Sequence, residues 1–111
     1  MSRNLLISYY RFLVSSVLFL AFSAIAQENA STIYSVQDVS KHNSPSDCWL
    51  IIRNKVYDVT HYLSLHPSSP GTIEPWCGSI ANDGMETKGF GDDHSEEAYA
   101  LLEDYLIGEI K

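Results

Sequence analysis

Two apolar runs around a short polar break organise this chain: Trp49-Leu50-Ile51-Ile52, then Arg53-Asn54-Lys55, then Val56-Tyr57-Asp58-Val59. Both runs are rich in β-branched and aromatic residues, and such a pair predicts a β-hairpin with a three-residue break. Directly after it, Thr60 can cap a short helix whose apolar positions are Tyr62, Leu63 and Leu65. That helix must stop at His66, because Pro67 drives the preceding residue out of helical dihedrals. Upstream, Ile33-Tyr34 predicts a short edge strand. Ser35, with Asp38 three residues on, approximates a capping box for a helical turn over Val36–Lys41, with Val36 and Val39 toward the core. Asn43-Ser44-Pro45-Ser46-Asp47 is a turn cluster leading into the hairpin.

Beyond His66 the pattern is weaker. Pro67-Ser68-Ser69-Pro70-Gly71 is a loop, after which Thr72 can cap a short helix over Ile73–Cys77, with Pro75 tolerable in its first turn. Gly78 ends that helix. Ser79 to Lys88 is the least patterned stretch, since Asn82-Asp83-Gly84 makes a poor helix interior. Gly89 to Asp93 is a loop that delivers His94. Ser95 then caps a helix with Glu96 and Glu97 in its first turn, where the dipole favours acids. Ala98, Leu101, Leu102 and Tyr105 come next at i, i+3, i+4 and i+7, one apolar face. Leu106 to Ile110, punctuated by Gly108, closes the chain as a strand.

The N-terminus has a different character. Arg3 and Arg11 are the only charges before residue 27, Leu13 to Phe22 form an apolar core, and Ala24-Ile25-Ala26 places small residues two apart. This is the layout of a secretory signal peptide over residues 1–26, cleaved after Ala26. Read instead as an uncleaved anchor, the apolar run is short of the roughly 20 residues that span a bilayer. Residues 27–32 read as a flexible lead-in and residues 33–111 as one domain. Without residues 1–26 the charge becomes 5 − 14 = −9, since all fourteen Asp/Glu but only five of the seven Lys/Arg remain. Such acidity, with no Lys/Arg cluster, argues against nucleic acid and suits a basic protein partner, although it also serves solubility alone. Two cysteines, Cys48 and Cys77, in an exported chain point to a disulfide.

Candidate chemistry rests on two histidines, His66 and His94, 28 positions apart and each at a corner fixed by its neighbours. Neutral imidazole is a good iron ligand, and two such corners around a pocket suit the two faces of a haem. Each histidine alone is an ordinary loop or helix-end residue; the pair carries the reading. Met85 is a third, sulfur-bearing alternative at the iron. Asp92-Asp93-His94 as a hard-metal site lacks further ligands nearby. His42 and His61 read as surface residues, and Tyr57 and Asp58 as structural parts of the hairpin.

At these residues a family resemblance emerges. The run Asp47 to Pro67, the pair His94-Ser95 and the tail Tyr105-Leu106-Ile107-Gly108-Glu109 resemble the cytochrome b5 family of haem-binding domains, over roughly Tyr34 to Ile110. The chain is most similar to the small exported bacterial b-type cytochromes with one internal disulfide. The resemblance implies an α+β fold, a small mixed β-sheet with short helix pairs forming a haem pocket. It also implies a helix within Ser79–Lys88, non-covalent haem b, His66 and His94 as axial ligands, and Tyr62, Leu63, Ile73, Met85 and Leu101 lining the pocket. Ser95 would bond a haem propionate. The family's usual motif is His-Pro-Gly-Gly, and here Ser68 and Ser69 stand in place of the glycines.

The function implied is that of an exported, periplasmic, monomeric one-electron carrier, meeting a redox partner with a basic docking surface and not inserted in the membrane after cleavage. The competing class is a module that stores haem or binds a hydrophobic small molecule; it would not need both histidines. No nucleophile–base constellation supports an enzyme.

Overall fold

Short elements alternate along the chain: β1 (Ile33–Tyr34), α1 (Val36–Ser40), β2 (Asn43–Ser44), β3 (Asp47–Ile52), β4 (Lys55–Asp58), β5 (Ser79–Ile80), α2 (Asn82–Thr87), α3 (Glu96–Leu102) and β6 (Leu106–Ile110). Single 3₁₀ turns occupy Leu63–Leu65, Pro70–Thr72, Glu74–Trp76 and Glu103–Tyr105. The structure, a computed structural model, describes residues 30–111. The signal peptide expected over residues 1–26, and the lead-in as far as residue 29, lie outside the described residues.

The sheet runs β1-β6-β4-β3-β2, with β5 added beside β3. β1–β6 and β3–β5 are parallel pairs and the rest antiparallel, so the sheet is mixed, as expected. Side chains alternate across β3 with the two-residue period of a strand. Cys48, Leu50 and Ile52 join Tyr57, Val59, Leu63, Cys77 and Ala81 in one buried cluster. Ile51 joins Val39 and Val56 in a second, edged by Tyr34, Trp49, Ile107 and Ile110. A strand buried on both faces reads as a continuous apolar run, which is what Trp49–Ile52 is.

Several local expectations change. Ile52 pairs with Lys55, so the hairpin turn holds two residues, Arg53 and Asn54, and Lys55 already belongs to β4. Both turn residues have positive φ, 49° and 63°, the mark of the turn whose twist matches the strands. Asn43–Ser44 pairs with Asp47–Cys48, which leaves only Pro45 and Ser46 of the turn cluster outside strands. The capping box forms: Asp38 N–H donates to Ser35 Oγ at 3.0 Å and Ser35 N–H to Asp38 Oδ2 at 2.9 Å. Val39 is buried, but Val36 is 43% exposed, because so short a helix turns only one of the two onto the sheet.

Thr60 does not cap a helix. Its hydroxyl donates to Asp58 Oδ1 at 2.6 Å and accepts from Cys48 N–H at 2.9 Å, pinning the hairpin's exit to its entry. The chain continues into the single turn Leu63–Leu65, with Leu63 buried and Leu65 67% exposed. His66 then takes an extended ψ of 129°, as the proline behind it requires. Thr72 likewise caps nothing, and the helix expected over Ile73–Cys77 is replaced by the turns Pro70–Thr72 and Glu74–Trp76. A helix running on from Pro70 would need the N–H that Pro75 lacks, so the segment breaks into two turns, each with a proline in its first two positions.

Candidate cofactor site

The expected ligand His66 is presented by the corner between the Leu63–Leu65 turn and Pro67. Its Nδ1 lies 3.2 Å from the Ser69 carbonyl and 3.0 Å from Ser68 Oγ. The Tyr62 ring meets it edge-on with centroids 6.0 Å apart. His94 sits between α2 and α3. Its main-chain N–H donates to the Met85 carbonyl at 3.3 Å, and its Nδ1 donates to the same oxygen at 2.5 Å. A carbonyl only accepts, so it holds the proton on Nδ1 and leaves the Nε2 lone pair for another group. His66 Nδ1 likewise faces a main-chain carbonyl, that of Ser69, with the Ser68 hydroxyl beside it, although the two histidines come from unrelated local structures.

Both also border the same cluster. Tyr62, Ile73, Trp76, Met85, Leu102 and Tyr105 pack half-buried around the first buried group. Tyr62 touches His66, and Met85 supplies the carbonyl to His94. Tyr62 and Tyr105 rings lie 5.2 Å apart. Of the expected pocket residues, Leu63 is buried in the core, Tyr62, Ile73 and Met85 belong to this fringe, and Leu101 is 42% exposed on the turn of α3 beside Leu102. Leu65 and Leu101 are large apolar side chains left to solvent on the elements that flank the histidines. Two imidazoles with free Nε2 atoms and half-buried aromatic and aliphatic rims fit a flat apolar macrocycle with a central metal. The residues present therefore suit haem.

Ser95 caps α3, accepting from Ala98 N–H at 3.3 Å. The Glu97 carboxyl is held below the usual carboxylate range by its own main-chain N–H and by the Ser95 hydroxyl. The serine is thus already engaged at its helix end. Among the described residues no group of three or more His, Cys, Asp or Glu side chains converges on a metal position, so Asp92-Asp93-His94 gathers no such set.

His61 is exposed, as expected. His42 is not a bare surface residue. Its ring stacks on Trp49 at 3.5 Å and 6°, and its Nδ1 lies 2.7 and 2.8 Å from the two Asp47 carboxylate oxygens. Trp49 edges the second cluster, so His42 belongs to the other face of the sheet from the fringe just described. Trp76, Leu102 and Tyr105 escaped the sequence reading as site residues. Leu102 and Tyr105 had a signal, since both fall on the apolar face expected after Ser95, although Tyr105 lies in the Glu103–Tyr105 turn beyond α3, whereas Trp76 had none.

Cys48 and Cys77 are joined in a disulfide, with Cα atoms 4.7 Å apart, tying the start of β3 to the segment after Trp76. No helix among the described residues is long and apolar enough to cross a membrane.

Comparison with known proteins agrees with this architecture. The family profile "Cytochrome b5-like Heme/Steroid binding domain" matches residues 35–111. The soluble cytochrome b558 of Ectothiorhodospira shaposhnikovii is 42% identical over 79 residues, covering 71% of this chain and 87% of that protein. Cytochrome b5 of Borago officinalis is 41% identical over 78 residues, covering 70% of this chain but only 56% of that protein. Among solved structures, cytochrome b558 of Ectothiorhodospira vacuolata, a prokaryotic homologue of cytochrome b5, superposes with a TM-score of 0.70 at 41% identity, covering 72% of this chain and 99% of that one. The chain belongs to the cytochrome b5-like family of haem-binding electron carriers, whose cofactor is a non-covalently held b-type haem.

Proposed function

We propose that this protein is an exported, monomeric one-electron carrier whose haem is held between His66 and His94. The observation that carries the reading is the matched state of the two imidazoles. Each has Nδ1 against a main-chain carbonyl, Ser69 for His66 and Met85 for His94, and so offers an unprotonated Nε2. Metal-bound histidines commonly show this outer-shell bond, which fixes the ring's orientation and raises its basicity. When bound, haem iron supplies one-electron exchange between its ferric and ferrous states, at a potential set by axial ligands, burial and nearby charge. The chain's part would be to hold the iron through His66 and His94, to keep water off the macrocycle with Tyr62, Ile73, Met85 and Leu101, and to supply a negative surface. Asp92, Asp93, Glu96 and Glu97 flank His94 and are all exposed, which suits a partner with a basic docking face. Export is supported by the leader-like residues 1–26 and by the Cys48–Cys77 disulfide, a bond favoured in oxidising compartments.

Single alanine substitutions test the ligand pair. His66→Ala and His94→Ala should each produce high-spin character and let carbon monoxide bind the ferrous protein, while wild type stays low-spin and closed. His61→Ala should do neither. His42→Ala should loosen the second cluster through Trp49 but leave the haem spectrum low-spin. A low-spin spectrum in His94→Ala would move the second ligand elsewhere, with Met85 the first residue to examine. Carbon monoxide binding by wild type would sink the carrier reading.

A further inference from the structure

Arg53 stands where the chain least favours it. It occupies the first position of the β3–β4 turn with φ of 49°, a geometry that suits Asn, Asp or Gly and strains a long side chain. An outlier of this kind raises the question of what the side chain holds. Arg53 N–H donates to Asn82 Oδ1 at 2.9 Å, at the start of α2. Its Nε donates to Glu86 Oε1 at 3.4 Å, one turn along the same helix. Its Nη2 donates to Tyr99 Oη at 3.1 Å on α3, and the guanidinium carbon lies 4.5 Å from the centre of that ring. Tyr99 Oη in turn donates to Asp93 Oδ1 at 2.8 Å. Asp93 directly precedes His94, whose N–H and Nδ1 both depend on the Met85 carbonyl of α2.

These contacts close a ring. One arm runs from the sheet through Arg53 and α2 to the Met85 carbonyl and His94; the other runs through Arg53, Tyr99 and Asp93 to the same histidine. We infer that Arg53 is a positioning residue for His94, clamping α2 and α3 to the rigid hairpin so that the imidazole is held from both sides. The inference rests on the reading of His94 as a haem ligand. The loop before His94 has little packing of its own. Phe90, Gly91 and Asp92 N–H groups all fold back onto one oxygen, the Thr87 carbonyl, and Phe90 is 74% exposed. Helices of six and seven residues cannot fix their own placement either. An exposed Arg53–Glu86 pair alone would contribute little, with side chains 56% and 45% exposed. What counts is that a planar guanidinium stacks on Tyr99 while bonding in two directions, which lysine cannot do.

Arg53→Gly separates the clamp from the fold, because it relieves the strained turn while removing every side-chain contact. In the haem-loaded protein, amide hydrogen exchange at His94 should accelerate while Leu50 and Tyr57 in the sheet stay as protected as in wild type. Haem transfer to an acceptor apoprotein should become about tenfold faster, the scale of losing an outer-shell partner. Arg53→Lys should resemble the glycine variant, and Tyr99→Phe, which keeps the ring under the guanidinium but loses the hydroxyl's bonds to both Arg53 and Asp93, should fall between it and wild type. Unchanged exchange at His94 in Arg53→Gly, or full rescue by lysine, overturns the clamp. Faster exchange with unchanged haem transfer leaves the clamp standing and counts against His94 as a ligand instead, an outcome that the spectrum of His94→Ala checks independently.

Discussion

Tyr57 lies in β4 with 3% of its surface exposed, and its hydroxyl donates to Glu103 Oε1 at 3.2 Å, an acceptor shared with Lys55 Nζ at 3.3 Å. Burial first, then the adjacent Glu103 charge and the hydrogen bond to it, push the tyrosine up to about 12. The folded protein therefore keeps this proton through a pH range in which the unfolded chain, with tyrosine near 10, releases it. Stability from the neutral hydroxyl is complete below that unfolded value and is lost as pH climbs through the folded one. Urea midpoints should accordingly fall between about pH 10 and 12, and Tyr57→Phe should flatten that decline; an equal slope in the variant would remove Tyr57 as the cause. Other residues show where single positions are legible. His66 and His94 could be found because Pro67 and Ser95, their immediate neighbours, fix the corners. His42 could not, because its partners Asp47 and Trp49 reach it only through the β2–β3 pairing. Arg53 was hidden for the same reason, its side-chain partners lying 33 and 46 residues away. Ser68, a departure from the family's glycine, gives His66 Nδ1 a hydroxyl at 3.0 Å that glycine has no atom to supply.

Among the elements, α2 is the most instructive, since Asn82-Asp83-Gly84 is poor helix interior by propensity and the helix includes all three nonetheless. Tertiary contacts decide it. Asn82 is taken up by the Arg53 N–H, Ala81 N–H reaches the Ile51 carbonyl at 2.8 Å, and Gly84 lets the Trp76 indole approach. A Cβ at Gly84 would stand 2.8 Å from Trp76 Cε2 and 2.9 Å from its Nε1. Propensity favours alanine over glycine in a helix by about 1 kcal/mol, but a Cβ this close to the indole forces the ring or the helix to shift, and overpacking costs about 1–3 kcal/mol. Gly84→Ala should therefore destabilise the protein and shift the Trp76 fluorescence, as denaturant unfolding and emission spectra would report. A stabilised variant with unchanged emission would show the ring free to move. The hairpin, α3 and the closing strand were legible because their patterns are long or capped. The 3₁₀ turns on either side of His66 were not, because Thr60 and Thr72 look like caps in sequence while their hydroxyls bond elsewhere.

For the molecule as a whole, the balance of a small core matters. The compact unit, Ser31–Lys111, divides its buried apolar residues between two clusters on opposite faces of one sheet. Domains of this size bury a smaller share of their surface than larger ones and gain most from cross-links. The Cys48–Cys77 bond spans a sequence separation of 29 and encloses the hairpin, the His66 corner and both proline-led turns. Closing such a loop in the unfolded chain removes entropy worth about 3–4 kcal/mol on the chain-entropy account. Cys48 is fully buried and Cys77 nearly so, which places the bond within the first cluster. A Cys77→Ser variant loses the link and leaves a buried thiol beside a hydroxyl. Its unfolding free energy should drop by about 2–4 kcal/mol. His66 and His94 take their carbonyl partners from Ser69 and Met85 rather than from the bonded cysteines, so the spectrum of the loaded protein should stay low-spin below the unfolding transition. Loss of the low-spin spectrum under native conditions would mean that the cross-link shapes the site as well as the fold. Two freely alkylated thiols in protein recovered from outside the cytoplasm would remove both the staple and one support for export.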